Sequence, residues 1–352
     1  MTNANREGAA PAGELSRWRR ELAKYRTPHG GRGASELAIT AVPFAFAWAA
    51  MYWSVSHGQL WIYALLLVPT AGLLVRLFLI QHDCGHYAFF ATRALNDWTG
   101  RLLSTLTVTP YDHWRHCHAI HHATSGNLSH RGVGDVDTLT VAEYTARGRW
   151  ARLRYRAYRH PIVMFGIGPF FVFVLQNRWP AGFVRRGWKP WLSTMSTNAA
   201  VLAAAALAIW AVGLQAFLLV HVPVLLLAAV FGVWLFYVQH QFEDTSWDFV
   251  DKWNVHEAAL RGSSHYVLPP VLNWFTANIG VHHVHHLFSG IPYYRLQNVL
   301  RDHPELRSVG RLTFWRSLRC VRLVLWDEAS RRLISFKELR ERAGGSPATA
   351  AI

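Results

Sequence analysis

The chain has 352 residues, 51% hydrophobic and only 16% charged, with a formal charge of +15 carried mostly by arginine. That balance suits one polytopic membrane domain better than one soluble domain, and its long uncharged runs exclude a nucleic-acid binder. Cys84, Cys117 and Cys320 have neither disulfide nor zinc-finger spacing and read as reduced thiols facing a cytosol, and no cleavable signal peptide is expected.

Residues 1–36 are polar and Arg-rich and read as a cytoplasmic tail, with an amphipathic stretch, Leu15 to Tyr25, lying on a membrane surface. Spans are expected at 37–56 and 60–80, turning through His57-Gly58-Gln59 between the interfacial anchors Trp53 and Trp61. Arg76, near the end of the second span, is expected to snorkel. His82-Asp83-Cys84-Gly85-His86 follows directly, and its i, i+4 spacing stacks two imidazoles on one helix face. Alone, that pair fits a cap or a packing contact as well as a metal, and it is not the HExxH pair of the zincins. Residues 88–109 are apolar but interrupted by Arg93, Asn96, Asp97 and Arg101, which predicts an interfacial helix.

His118, His121 and His122 then form an HxxHH pattern, repeated by His282, His285 and His286. With 20 histidines in the chain, chance placement supplies only about 0.1 such matches, so two are a signal. On a helix each triplet shares one face. His113 and His116 lie outside the pattern. Residues 123–160 are polar, then strongly basic from Arg147 to Arg159, which positive-inside topology and lipid headgroups explain. Residues 161–176 are apolar but short and carry Pro161, Gly166, Gly168 and Pro169; the basic residues after them, Arg178, Arg185, Arg186 and Lys189, favour a re-entrant or interfacial segment.

Spans at 191–212 and 214–238 form a second hairpin through Gly213. Two hairpins leave every histidine cluster on one side of the membrane, together with His240, which could be a helix cap, a headgroup contact or a ligand. Residues 339–352 are expected to be a disordered tail. The expected fold is an all-α integral membrane protein: four spans in two hairpins within a domain 37–338, under a cytoplasmic helical cap with a His-rich di-metal site.

Eight clustered histidines, or nine with His240, are too many for one ion and suit two. The clusters build in no general-base carboxylate, which argues against zinc hydrolysis. Iron suits attack on an unactivated C–H bond, using O2 and electrons, beside an apolar bundle that could admit an alkyl chain.

HDCGH at 82–86, HAIHH at 118–122 and HHVHH at 282–286, in the order hairpin, box, box, hairpin, box, resemble the membrane fatty acid desaturases. Pro110-Tyr111-Asp112, Ala123 to Asn127, Tyr237 to Asp244, and Asn278-Ile279-Gly280 through Pro292 to Arg295 are similar to the bacterial omega-6 (delta-12) acyl-lipid group. The resemblance spans roughly residues 60–300 and implies metal ligands at His82, His86, His118, His121, His122, His240, His282, His285 and His286. His283, His113 and His116 fall on non-ligand positions. Tyr294 departs from a histidine common in the omega-6 enzymes. The resemblance further implies two iron ions, O2 as co-substrate, and an acyl-lipid or acyl-thioester substrate in a bacterial inner membrane with the boxes cytoplasmic. No cytochrome b5 His-Pro-Gly-Gly is present, so electrons are expected from a separate, acidic ferredoxin or cytochrome b5. The alternatives are a di-iron hydroxylase or ketolase acting on alkanes or carotenoids, and a membrane metal transporter or heme carrier. The last two need ligands inside the spans, where only His221 lies.

Overall fold

The computed structural model describes residues 12–180 and 187–344. The chain begins with α1 (Ala12–Ala23), α2 (Gly30–Ser56), α3 (Leu60–Gly85), α4 (Arg93–Thr107) and α5 (Tyr111–Thr124). A short strand β1 (Leu139–Thr140) leads into α6 (Val141–Ala146) and α7 (Arg149–Tyr158). An irregular apolar segment follows, with the single turn α8 (Gly168–Phe170) between π-helical turns at Val163–Ile167 and Phe171–Leu175. Next come α9 (Trp188–Val212), α10 (Leu214–His240), α11 (Val255–Arg261), β2 (His265–Val267), α12 (Pro270–Phe275), α13 (His282–Leu287) and α14 (Tyr293–Asp302). β3 (Arg311–Thr313), α15 (Phe314–Cys320), β4 (Leu325–Asp327), β5 (Arg332–Ile334) and α16 (Phe336–Gly344) complete it.

Among the described residues four helices, α2, α3, α9 and α10, are long and apolar enough to cross a membrane. Pro43, Pro69 and Pro223 lie inside three of them, as apolar spans packed on neighbours tolerate. α7 and residues 163–178 meet at 55°, and would add a fifth crossing only if that bent pair were a single span. α3 is the central helix: it packs on α2, α4, α5 and α10, and its second half is almost wholly buried. α9 is peripheral, with Leu202, Leu207 and Trp210 exposed. Gly213 separates α9 from α10 at φ +82, a conformation that costs glycine nothing and other residues a great deal. α4 exposes Leu95, Trp98 and Leu102 as one i, i+3, i+7 stripe, the pattern of a helix lying on an apolar surface.

Several expectations change. α2 begins at Gly30, so the first span draws on residues assigned to the tail. The apolar side of α1 faces protein rather than a membrane surface: Trp18 and Leu22 are buried, the Trp18 ring meets His303 edge-on at 5.5 Å, and the Tyr25 hydroxyl donates to Asp302 at 2.7 Å. Arg76 does not snorkel. It is buried and paired with Glu36, because α2 carries a carboxylate at the same depth. Arg159 is likewise buried, not part of a basic surface, and Arg178 bonds Asn198 and the Val108 carbonyl. The stretch from 339 begins within α16. Arg185, Arg186 and residues 345–352 lie outside the described residues.

The all-α expectation omits two small sheets. β2 pairs in parallel with β3, while β4 lies between β1 (parallel) and β5 (antiparallel). Strands of two or three residues carry too few positions to show alternation. The two sheets tie the loops after α5 and α11 to the C-terminal segment.

Candidate metal centre

Four helices deliver histidines to one place. α3 carries His82 in its last turn and is capped by His86; α5 carries His118, His121 and His122; α10 stops at His240; α13 carries His282, His285 and His286. They sort into a five-histidine group (His82, His86, His118, His122 and His285) and a four-histidine group (His121, His240, His282 and His286), each with its ligand nitrogens within 4.8 Å of one another. The two groups adjoin, with the His122 and His286 rings stacked at 4.1 Å.

Within the first group, His118 Nε2 lies 3.0 Å from both His82 Nε2 and His86 Nε2, and 3.1 Å from His122 Nε2. His285 Nε2 lies 3.2 Å from His122 Nε2. Within the second, His240 Nε2 lies 3.2 Å from His121 Nε2 and 3.0 Å from His282 Nε2.

These distances lie in hydrogen-bonding range, but His118 Nε2 faces three other Nε2 atoms at once and can share a proton with only one of them. His121 Nδ1 faces Asp135 Oδ1 at 2.6 Å, and His240 Nδ1 faces the Gly262 carbonyl at 3.2 Å. With the proton on each Nδ1, the two rings present Nε2 lone pairs to each other. His82 is set the same way by Asp83 Oδ1, 3.2 Å from its Nδ1. Lone pairs held this close are arranged as a shared cation would arrange them. Bonds of about 2.0–2.1 Å from one metal ion to imidazole nitrogens place adjacent nitrogens about 3 Å apart. The buried Nε2 of His286 also has no hydrogen-bond partner. The donor set thus fits two ions of the imidazole-binding transition metals.

Burial, reinforced by neighbouring imidazoles, holds His118, His122, His282, His285 and His286 well below the usual histidine range. Burial pushes His283 down to about 3. Unfolded histidines titrate near pH 6.5, so below about that value the unfolded chain binds protons that the folded, metal-free chain refuses. Stability therefore rises with pH across this window and is lost as pH falls. The thermal midpoint of the metal-free protein is expected to be lower at about pH 5.5 than at about pH 7.5. Equal midpoints would contradict neutral buried rings.

The other histidines lie elsewhere. His283 Nε2 donates to the Leu306 carbonyl at 2.9 Å, His116 is exposed, and His113 contacts Cys117 Sγ at 4.0 Å. His221 stacks on Phe217 within α10, and the Tyr294 hydroxyl accepts the His29 amide at 3.1 Å. Asp135 is the residue missed by sequence reasoning. It lies in an irregular Gly-rich loop with no periodicity, and only its pairing with His121 distinguishes it.

Four described helices of membrane length and nine convergent histidines that could hold metal define the class: a helical protein built like a multi-histidine membrane metalloprotein. The chain belongs to the fatty acid desaturase family, whose profile matches residues 59–317. It is 41% identical over 321 residues to a fatty acid desaturase of Bacillus subtilis, covering 91% of this chain and 90% of that one. It is 29% identical to an sn-1 acyl-lipid omega-3 desaturase (ferredoxin) of a Synechocystis strain, covering 63% and 61%. It is 24% identical to an sn-1 oleoyl-lipid 12-desaturase of Anabaena variabilis, covering 70% of each. The protein is thus an oxidoreductase, a fatty acid desaturase.

Proposed function

We propose that the protein introduces a cis double bond into an acyl chain of a membrane glycerolipid, at the omega-6 (delta-12) position, in an O2-dependent reaction. The nine histidines are its metal ligands and hold two iron ions, one per group. The observation that carries this reading is their division into groups of five and four with opposed lone pairs. When bound, the iron pair supplies the redox chemistry that activates O2 against an unactivated C–H bond.

The chain's own residues position and exclude. Asp83, Asp135 and the Gly262 carbonyl hold protons on Nδ1 and so present Nε2 inward. Trp114 stacks on His118 at 4.7 Å and meets Phe78 at 5.4 Å, while Phe236 meets both His121 and His240. These rings form an apolar wall against which an alkyl chain can lie and from which water is kept.

Electrons come from a separate donor, a ferredoxin or cytochrome b5, since relatives are named for one or the other. The histidine-bearing helix ends face the cytoplasm, beneath a cap built from α11 to α16, in a bacterial inner membrane. The named relatives are desaturases throughout, which favours this reading over a hydroxylase, ketolase, transporter or heme carrier.

Expression in a host that makes oleoyl lipids but no dienoic acids should yield linoleoyl lipids, located by chromatography and mass spectrometry of the intact lipids. A new monoenoic acid instead would keep the desaturase and discard the delta-12 assignment. A hydroxylated product would overturn both.

A further inference from the structure

We propose that Asp135 and Arg159 form a positioning unit for the four-histidine group alone, setting the affinity of its metal separately from that of the five-histidine group. This rests on the two-metal reading above.

The Asp135 carboxylate, only 6% exposed, lies 2.6 Å from His121 Nδ1. The loop that carries it is pressed against α5: Gly134 has φ +70, and a Cβ there would come within 3.3 Å of the His121 Cβ. Arg159 fixes the next residues of this loop, donating from Nη1 to the Asp137 carbonyl at 3.1 Å and to Thr138 Oγ1 at 3.2 Å. Its Nη2 donates to Gln241 Oε1 at 2.9 Å, the Tyr237 hydroxyl at 3.2 Å and the Leu323 carbonyl at 2.8 Å. Tyr237 and Gln241 flank His240. One buried guanidinium therefore ties the loop that orients His121 to the helix end that presents His240. Both are ligands of the four-histidine group. The hydrogen bonds of Arg159 go to the 137–138 loop, the end of α10 and Leu323, not to His82, His86 or His285 of the other group. A buried cation is costly and persists where neutral oxygens compensate it, here five from three segments on Nη1 and Nη2, while its buried Nε has no partner.

The test is a Co(II) titration of the purified, metal-free full chain in lipid nanodiscs, followed by absorption against a competing chelator. The parent is expected to bind two equivalents. Asp135→Asn keeps the shape but loses the charged acceptor, and should weaken one equivalent by about 10- to 100-fold, leaving the other unchanged. Asp135→Glu should restore part of the loss. Arg159→Lys keeps the charge but loses the fork, and should weaken the same equivalent. Glu341→Gln, at an exposed acid on α16, should match the parent. Retention of the first equivalent shows that the variants are folded. Parental affinity at both sites in Asp135→Asn, or equal weakening of both, overturns the proposal alone. A parent that binds a single equivalent overturns the two-metal reading and this proposal with it.

Discussion

His240→Ala is expected to lower desaturation by about 100-fold or more and to reduce iron from two ions per chain to about one. His240 is buried at the last position of α10, with its Nε2 within 3.2 Å of both His121 and His282. No other side chain can replace it, because the four-histidine group would retain only His121, His282 and His286. His283→Ala should do the opposite. His283 is fully buried and shares the third box, yet its Nε2 donates to the Leu306 carbonyl, outside both groups. Its loss strands that carbonyl and should cost about 1–3 kcal/mol of stability while iron content stays near parental. Iron analysis and turnover of the two variants decide the matter. Two irons and full turnover in His240→Ala would remove it from the ligand set.

Arg76→Leu should destabilise the protein by about 3–5 kcal/mol, since it leaves the Glu36 carboxylate buried without its main partner. The two side chains are 2% and 3% exposed, and Arg76 also bonds Thr40 Oγ1 at 3.0 Å and lies 4.3 Å over the Trp274 ring. Glu36 keeps Arg32 at 2.6 Å, but that arginine is exposed, so its compensation is partial. Glu36→Leu combined with Arg76→Leu removes both charges and should recover most of the loss. Thermal midpoints of the two single variants and the double variant in one detergent form the cycle. A double variant as unstable as the sum of the singles would show that the charges act independently.

The convergence of the nine histidines was legible in the sequence because helical spacing places residues three or four apart on one face. HxxHH cannot spread its imidazoles around a helix, and long apolar runs announce themselves by length alone. What stayed hidden was pairing across the chain. Glu36 and Arg76 read separately as a tail residue and a snorkelling one, since nothing local states that two charges 40 positions apart meet in the interior. Arg159 looked like one more arginine in a basic run; its burial follows from a loop and a helix end that close around it. Asp135 had no periodic neighbour to mark it.

The division of the groups between distant parts of the chain bears on biosynthesis. The five-histidine group takes His82 to His122 from the first half but needs His285, and the four-histidine group adds only His121 to His240, His282 and His286. His122 and His285 are 163 residues apart, so closing that loop costs chain entropy that the apolar helices alone must supply before any ion arrives. On the two-metal reading, the ions would cross-link the early and late halves of the nascent chain once loaded. A chain stalled before residue 282 lacks His285 of one group and His282 and His286 of the other, so on the two-metal reading neither site would be complete and iron starvation would shorten the protein's lifetime as well as slow its turnover.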